Sequence, residues 1–272
     1  MISFNSEKDQ KLIKAVLNGI TGISFNTINK LLRAKDVKVN GVRVGKDVSV
    51  KKGDLIEVYV KQQDLSKIYE EVYKDQNVLV VFKKDGYTSE ELFTILDKDY
   101  NGVYFIHRLD RNTSGIMIFA LNTIAEKELL NGFKNRTFEK KYLATVYGIP
   151  KTKQATLTDY LFKDAKLNKV YVSPINKTGY SKIITEYKVV KENENSSVLE
   201  VKLITGKTHQ IRAHLAHVGH FILGDGKYGD DTINKKLGIK RQMLTCFSLK
   251  LVFENCSPLY YLDNKEFTFK GE

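Results

Sequence analysis

The chain has 272 residues, with 44 Lys and Arg against 32 Asp and Glu, a formal charge of +12 and an isoelectric point near 9.4. Its 42% hydrophobic and 28% charged residues exclude a wholly disordered chain. Two cysteines exclude a disulfide framework, and no apolar run approaches the ~20 residues of a membrane-spanning helix. In chain order, Met1 to Gln10 mixes Glu7, Lys8 and Asp9 without an apolar stretch, so no signal peptide is expected and the setting is read as cytoplasmic. Leu12, Ile13, Val16, Leu17 and Ile20 recur at helical spacing, and Gly22 interrupts them,. Phe25, Ile28, Leu31 and Leu32 predict a second short helix, with Asn26 as an early cap. Val37 to Val44 alternates on both sides of Asn40-Gly41, a pair that tolerates positive φ and signals a hairpin. Val48, Val50, Leu55, Ile56, Val58 and Val60 continue as strands.

Residues 1–64 carry 12 Lys and Arg against 7 Asp and Glu, a net of +5, so positive charge is densest there. Residues 1–62 are expected to form a small helix–helix–hairpin domain of α/β type, 63–76 a polar linker and 77–272 a larger domain. Within the larger domain, Val78 to Phe82, Val103 to His107, Ile116 to Leu121, Tyr142 to Tyr147, Ile183 to Val190, Val198 to Ile204 and Phe247 to Phe253 predict strands, and Ile124 to Phe133 a helix. Strands outnumber helices and do not alternate with them. The expected fold class is therefore α+β, with a mixed, largely antiparallel sheet. The net charge favours a polyanionic partner, nucleic acid first, over a merely solvated basic surface.

Three segments hold residues able to do chemistry. In His107-Arg108-Leu109-Asp110-Arg111, an extended backbone puts Arg108 and Asp110 on one side and Leu109 on the other. A carboxylate among guanidinium groups stays ionised; its alternative role is a structural pair that closes a loop. Thr205 to His220 holds four of the five histidines. A helix from about His209 to Val218 sets His214 and His217 on neighbouring faces. Two readings stand there: a metal site, or rings that pack and hydrogen-bond around the arginine-bearing helix. The metal reading lacks an evident third ligand and a known ligand spacing. Thr208 and the amides at that helix start offer a weak phosphate site. On Lys141-Tyr142-Leu143, Tyr142 is either a core residue or a flat ring offered to a base. Cys246 and Cys256 have no acid–base neighbours in sequence. Walker, Gly-x-Gly-x-x-Gly and Gly-x-Ser-x-Gly loops are missing,.

Taken together, the three segments resemble RluA-type pseudouridine synthases. The carrying motifs are His107-Arg108-Leu109-Asp110-Arg111-Asn112-Thr113-Ser114-Gly115, then Lys140 to Ala144, then Thr205-Gly206-Lys207-Thr208-His209-Gln210-Ile211-Arg212 with His214-Leu215-Ala216-His217. Leu223-Gly224-Asp225, Tyr228-Gly229 and Arg241-Gln242 extend the likeness, which spans about residues 77–253. Lys84 stands where the family commonly has proline, and Asn112 where it commonly has Asp. The resemblance implies that Asp110 is the essential aspartate, that Arg212 pairs with it, that Tyr142 stacks on the target base and that Arg108 helps hold the flipped-out nucleotide. It implies isomerisation of uridine in structured RNA, large-subunit (23S-type) ribosomal RNA above all, by a monomer with no cofactor, no metal, no membrane association and no obligate protein partner. The N-terminal unit resembles the small RNA-binding motif of a ribosomal protein, with Lys30, Arg33, Lys35, Lys38 and Arg43 as the implied phosphate contacts. Two other classes make different predictions: a non-catalytic RNA-binding protein would show a substituted aspartate, and a histidine-cluster hydrolase would hold stoichiometric metal.

Overall fold

In the computed structural model, residues 1–20, 22–23, 25–60 and 68–269 are described, with Asn26 described for its backbone alone. The first of two compact units takes residues 1–70 and 86–101. It opens with β1 (Ile2–Asn5), β2 (Gln10–Lys11), α1 (Leu12–Gly19) and α2 (Phe25–Arg33), followed by β3 (Val37–Val39), β4 (Val42–Arg43), β5 (Ser49–Val50) and β6 (Leu55–Val58). The helical apolar spacing buries Leu12, Ile13, Val16, Ile28 and Leu32 in one core with Val37, Ile56 and Val58. Asn40 and Gly41, at φ 49° and 80°, form the hairpin turn,. β1 was not legible as a strand, being four residues long; it pairs antiparallel with β6. Asn26, expected as an early cap, has its backbone inside α2, whose first residue is Phe25.

Next come β7 (Tyr69–Lys74) and β8 (Val78–Lys83). Of the expected linker, residues 63–67 lie outside the described residues. Tyr69–Lys74 form a strand whose polar composition fits its place at the end of the sheet. The boundary is also not a single cut. α3 (Ser89–Asp99) is compact with the first unit, where Tyr87 Oη donates to the Gly22 carbonyl at 3.1 Å and Tyr69 Oη to Asp99 at 2.9 Å. Thr88 and Glu91 close a capping box at its start,.

The second unit takes residues 71–85 and 102–272. After α3 the chain runs through β9 (Tyr104–Phe105), β10 (Ser114–Ala120), α4 (Thr123–Asn135), β11 (Glu139–Tyr147), β12 (Gln154–Asp164), β13 (Lys169–Ser173), β14 (Ser181–Glu192), β15 (Ser196–Leu203), α5 (Gln210–His217), α6 (Asp231–Lys236), β16 (Leu244–Lys250) and β17 (Glu266–Thr268). Among the described residues these build one sheet in the order β13-β12-β14-β15-β11-β16-β10-β8-β7, with β9 on β10 and β17 on β16. β10 and β16 run parallel, while β11 is antiparallel to both β15 and β16. The expected mixed, largely antiparallel α+β sheet is thus the observed one. Val78, Val80, Ile116, Ile118, Leu249 and Leu251 form the core with Ala125 and Leu129 of α4. Among the described residues, no helix is long and apolar enough to cross a membrane.

Candidate active site

Strand register brings the three sequence motifs together. β10 begins four residues after Asp110. Its Gly115 lies beside Cys246 in the parallel ladder, and Cys246 lies opposite Tyr142 of β11. Gly115, Cys246 and Tyr142 therefore form one row across three strands. Only glycine fits at the end of that row: Gly115 has φ 137°, and a Cβ there would stand 2.4 Å from the Cys246 carbonyl oxygen,. On the other side of β11, Tyr142 is opposite Val201 of β15, the strand that leads into the segment preceding α5. The result is a cleft of about 210 Å³ bordered by Arg108, Asp110, Tyr142, His209 and Arg212.

Arg212 organises the cleft. Its Nε and Nη2 donate to Asp225 at 2.7 and 2.9 Å, and its Nη1 donates to Asp110 Oδ2 at 2.8 Å. The Asp225 side chain is fully buried, that of Arg212 is 8% exposed and that of Asp110 22% exposed. Burial alone would raise the Asp225 carboxyl, but the hydrogen bonds and charge of Arg212, with the Lys227 and Tyr228 amides, hold it below the usual carboxylate range,. Burial works against the Arg212 charge, and Asp225 and Asp110 more than offset it, so the guanidinium stays charged. One arginine fork thus joins a buried anion to a cleft-facing one.

The Asp110 loop is held from further sides. The Lys83 ammonium, fully buried, donates to the carbonyls of Lys84 and Arg111 at 3.0 and 3.2 Å. Gln242 donates to Thr113 Oγ1 at 2.9 Å, and the Thr113 amide to the Asp110 carbonyl at 3.1 Å. Leu109 points into the protein at 5% exposure while Arg108 is exposed at the cleft edge. Tyr142 is 5% exposed and its ring borders the cleft. Burial first, then Cys246 and Asp110, push its phenol well above the usual range, so it stays protonated. The Cys246 thiol has neighbours after all, in Tyr142 and Lys140, and burial pushes it up to about 11, which leaves it unreactive.

The clustered histidines part company. His209 Nδ1 meets Tyr228 Oη at 2.9 Å; buried His214 bridges Thr185 and Asp159 at 2.9 and 3.0 Å; His217 is exposed; and His220 Nδ1 meets the Tyr147 carbonyl at 3.1 Å. Among the described residues, no three His, Cys, Asp or Glu side chains gather as metal ligands. His214 instead anchors the helix that carries Arg212.

In the first unit, Lys38 and Arg43 are cross-strand partners that both approach the Tyr59 ring, at 5.2 and 5.8 Å. Arg43 also donates to the Lys35 carbonyl at 2.7 Å. Lys30 and Arg33 stand exposed on the last turn of α2. The sequence offers Asp225, Tyr228 and Gln242 only as parts of motifs with no role of their own, and gives no signal for Lys83. The usable signal was Asp225 itself, since an aspartate between apolar and glycine residues needs a cation when buried.

Residues 69–217 match the family of RNA pseudouridylate synthases. An uncharacterized RNA pseudouridine synthase of Chlorobaculum parvum is 32% identical over 239 residues, 78% of this chain and 73% of that protein. A second, from Bacillus subtilis, is 30% identical over 252 residues, 84% of this chain and 82% of that protein. Ribosomal large subunit pseudouridine synthase C of Vibrio parahaemolyticus is 28% identical over 269 residues, 89% and 84% of the two chains. Among solved structures, human RNA pseudouridylate synthase domain containing 1 matches with a TM-score of 0.61 and 26% identity, over 74% of this chain and 89% of that one. The chain belongs to the RNA pseudouridylate synthase family, whose members are isomerases.

Proposed function

We propose that the protein converts uridine to pseudouridine at defined positions in structured RNA, large-subunit ribosomal RNA first, with Asp110 as the reacting carboxylate. The observation that carries the reading is the fork of Arg212, which donates to Asp110 at the cleft while Asp225 balances the buried charge. The isomerisation breaks the N1–C1′ bond of uridine and joins C5 to C1′, with C5 losing a proton and N1 gaining one. It is redox-neutral, so the residues need supply only a base or nucleophile and a place for the ring to turn. Asp110 serves either as the nucleophile at C1′ or as the base at C2′.

A uracil stacked in a helix cannot rotate, so the nucleotide must leave the stack, at a few kcal/mol. Stacking on the Tyr142 ring returns about 1–3 kcal/mol, and Arg108, which borders the cleft, is assigned to the backbone of the displaced nucleotide. Relatives named for the ribosomal large subunit favour that RNA as the substrate. Lys30, Arg33, Lys35, Lys38 and Arg43 of the first unit are assigned to its phosphates. RNA specificity then rests on shape and backbone contacts outside the cleft.

The test is Asp110→Asn, which keeps the side chain's size. Tritium release from 5-labelled uridine in ribosomal RNA fragments should fall below about 1% of wild type. RNA affinity by filter binding should change less than about twofold, because the basic surface is untouched. Activity of several per cent in the variant would overturn the assignment.

A further inference from the structure

His209 is built into the cleft under constraint. Its φ of 54° lies in the left-handed region that non-glycine residues seldom occupy, and such backbone collects at functional sites. Its side chain is 10% exposed, and Nε2 faces Asp110 Oδ2 at 3.9 Å. On the other side of the ring, Nδ1 lies 2.9 Å from Tyr228 Oη. That oxygen already accepts the Val170 amide at 2.9 Å. With that acceptor position taken, the phenol proton is free to go to Nδ1, and we assign the imidazole's own proton to Nε2, toward Asp110. Burial, joined by Arg212 and Lys227 and opposed by Asp110 and Asp225, brings the imidazole down to about 4. The ring is neutral at pH 7, a fixed donor rather than a counter-ion.

Tyr228 is fixed in turn. Its amide donates to Asp225 Oδ1 at 3.2 Å, and the Arg212 guanidinium lies 5.2 Å from the centre of its ring. One tyrosine therefore supports both groups that face Asp110.

We propose that His209, aligned by Tyr228, is a positioning residue for the Asp110 carboxylate. A small rotation of that carboxylate closes the 3.9 Å gap to a hydrogen bond from Nε2–H. Arg212 and His209 then hold Oδ2 between them, and Oδ1 is left to face the sugar. This rests on Asp110 being the reacting group.

The experiment compares four single variants of the full chain, and the double variant His209→Asn with Tyr228→Phe, by steady-state kinetics on one ribosomal RNA fragment, with thermal unfolding as the check on folding. His209→Asn keeps a residue tolerant of the left-handed backbone but removes the donor. His209→Gln restores an amide N–H near the Nε2 position. Tyr228→Phe keeps the ring under Arg212 and removes Oη. Asp110→Asn is the reference. A misplaced reacting group costs rate rather than binding, so His209→Asn should lower kcat at least about tenfold with KM within about twofold. His209→Gln should recover to within about threefold of wild type, and adding Tyr228→Phe to His209→Asn should lower kcat no further, as for residues acting through one device. The proposal is overturned if His209→Asn keeps kcat within about twofold, if its whole effect is in KM, or if the Gln variant is as slow as the Asn variant. An inactive Asp110→Asn beside a fully active His209→Asn removes this inference alone; an active Asp110→Asn removes the reading of the site and this inference with it.

Discussion

Arg212 and Asp225 share two hydrogen bonds, at 2.7 and 2.9 Å, and that pairing leaves the Nη1 of Arg212 pointing at Asp110. The bidentate pair fixes the plane of the guanidinium, so the direction of its remaining donor is set by the buried carboxylate. Gly224 allows the turn that delivers Asp225: it has φ 76°, and a Cβ there would stand 1.8 Å from the Arg241 carbonyl oxygen.

Removing Asp225 should destabilise the fold as well as the site. Asp225→Ala leaves a nearly buried cation half-compensated, which costs about 3–5 kcal/mol, read as a lower urea midpoint with an unchanged slope. The pH dependence follows from the direction of the shift. The folded carboxyl titrates below its unfolded value, about 3.9 for Asp, so its contribution is complete above that value and is lost as pH falls through the lower folded one,. Unfolding free energy should therefore fall as the pH drops below about 4. Asp225→Asn should flatten that acid limb; an unaltered limb would contradict the assignment.

Gly115→Ala should be costly although the change is one methyl group. The new Cβ meets the Cys246 carbonyl oxygen at 2.4 Å with φ at 137°, so β10 and β16 must separate or the backbone must strain, at about 1–3 kcal/mol. Calorimetry should show a lower Tm. Activity should also fall, since Asp110 and Tyr142 are placed by that row of residues.

Replacing Lys35, Lys38 and Arg43 together by Gln should weaken RNA binding without slowing the saturated reaction. Three lost phosphate contacts flatten the slope of log affinity against log salt by about 2–3. KM should rise and kcat change little, because those contacts are equal before and during reaction. Charge replacement is a cleaner test than deleting residues 1–62, since α3 packs in the same compact unit as the deleted segment. A slope unchanged from wild type would remove these residues from the interface.

Activity should survive exhaustive dialysis against EDTA, and metal analysis of the purified protein should find less than about one equivalent. His209, His214 and His220 spend ring nitrogens on Tyr228, on Thr185 and Asp159, and on the Tyr147 carbonyl. Activity lost to the chelator and restored by zinc would favour the hydrolase reading.

Much of the fold was legible because its signals are local. The apolar spacing of α1, the Asn40-Gly41 turn, and the runs that became β8, β10 and β15 each report which side of a short segment is buried. β12 and β13 were missed: along β12 the alternation of Ala155, Leu157 and Leu161 is interrupted by the half-buried Asp159. α3 escaped because its apolar positions, Leu92 and Leu96 among them, are few and spread among charges.

Residue type and spacing offered Asp110 and Tyr142 as candidates beside structural alternatives, the resemblance of the motifs to a known family added their roles and that of Arg212, and the composition alone carried the basic character of the chain. Only the tertiary structure decided what those residues touch. Arg212 reaches Asp110 across 102 positions of sequence, through a parallel pairing of β10 with β16 that no local pattern encodes. Its second partner, Asp225, and the turning of the histidines away from one another likewise follow from strand register and from the packing of α5 against the sheet. Periodicity records whether a residue is buried. Which partner a buried polar group meets is set by the summed geometry of distant segments, because each such group must find its hydrogen bonds wherever the whole chain places them.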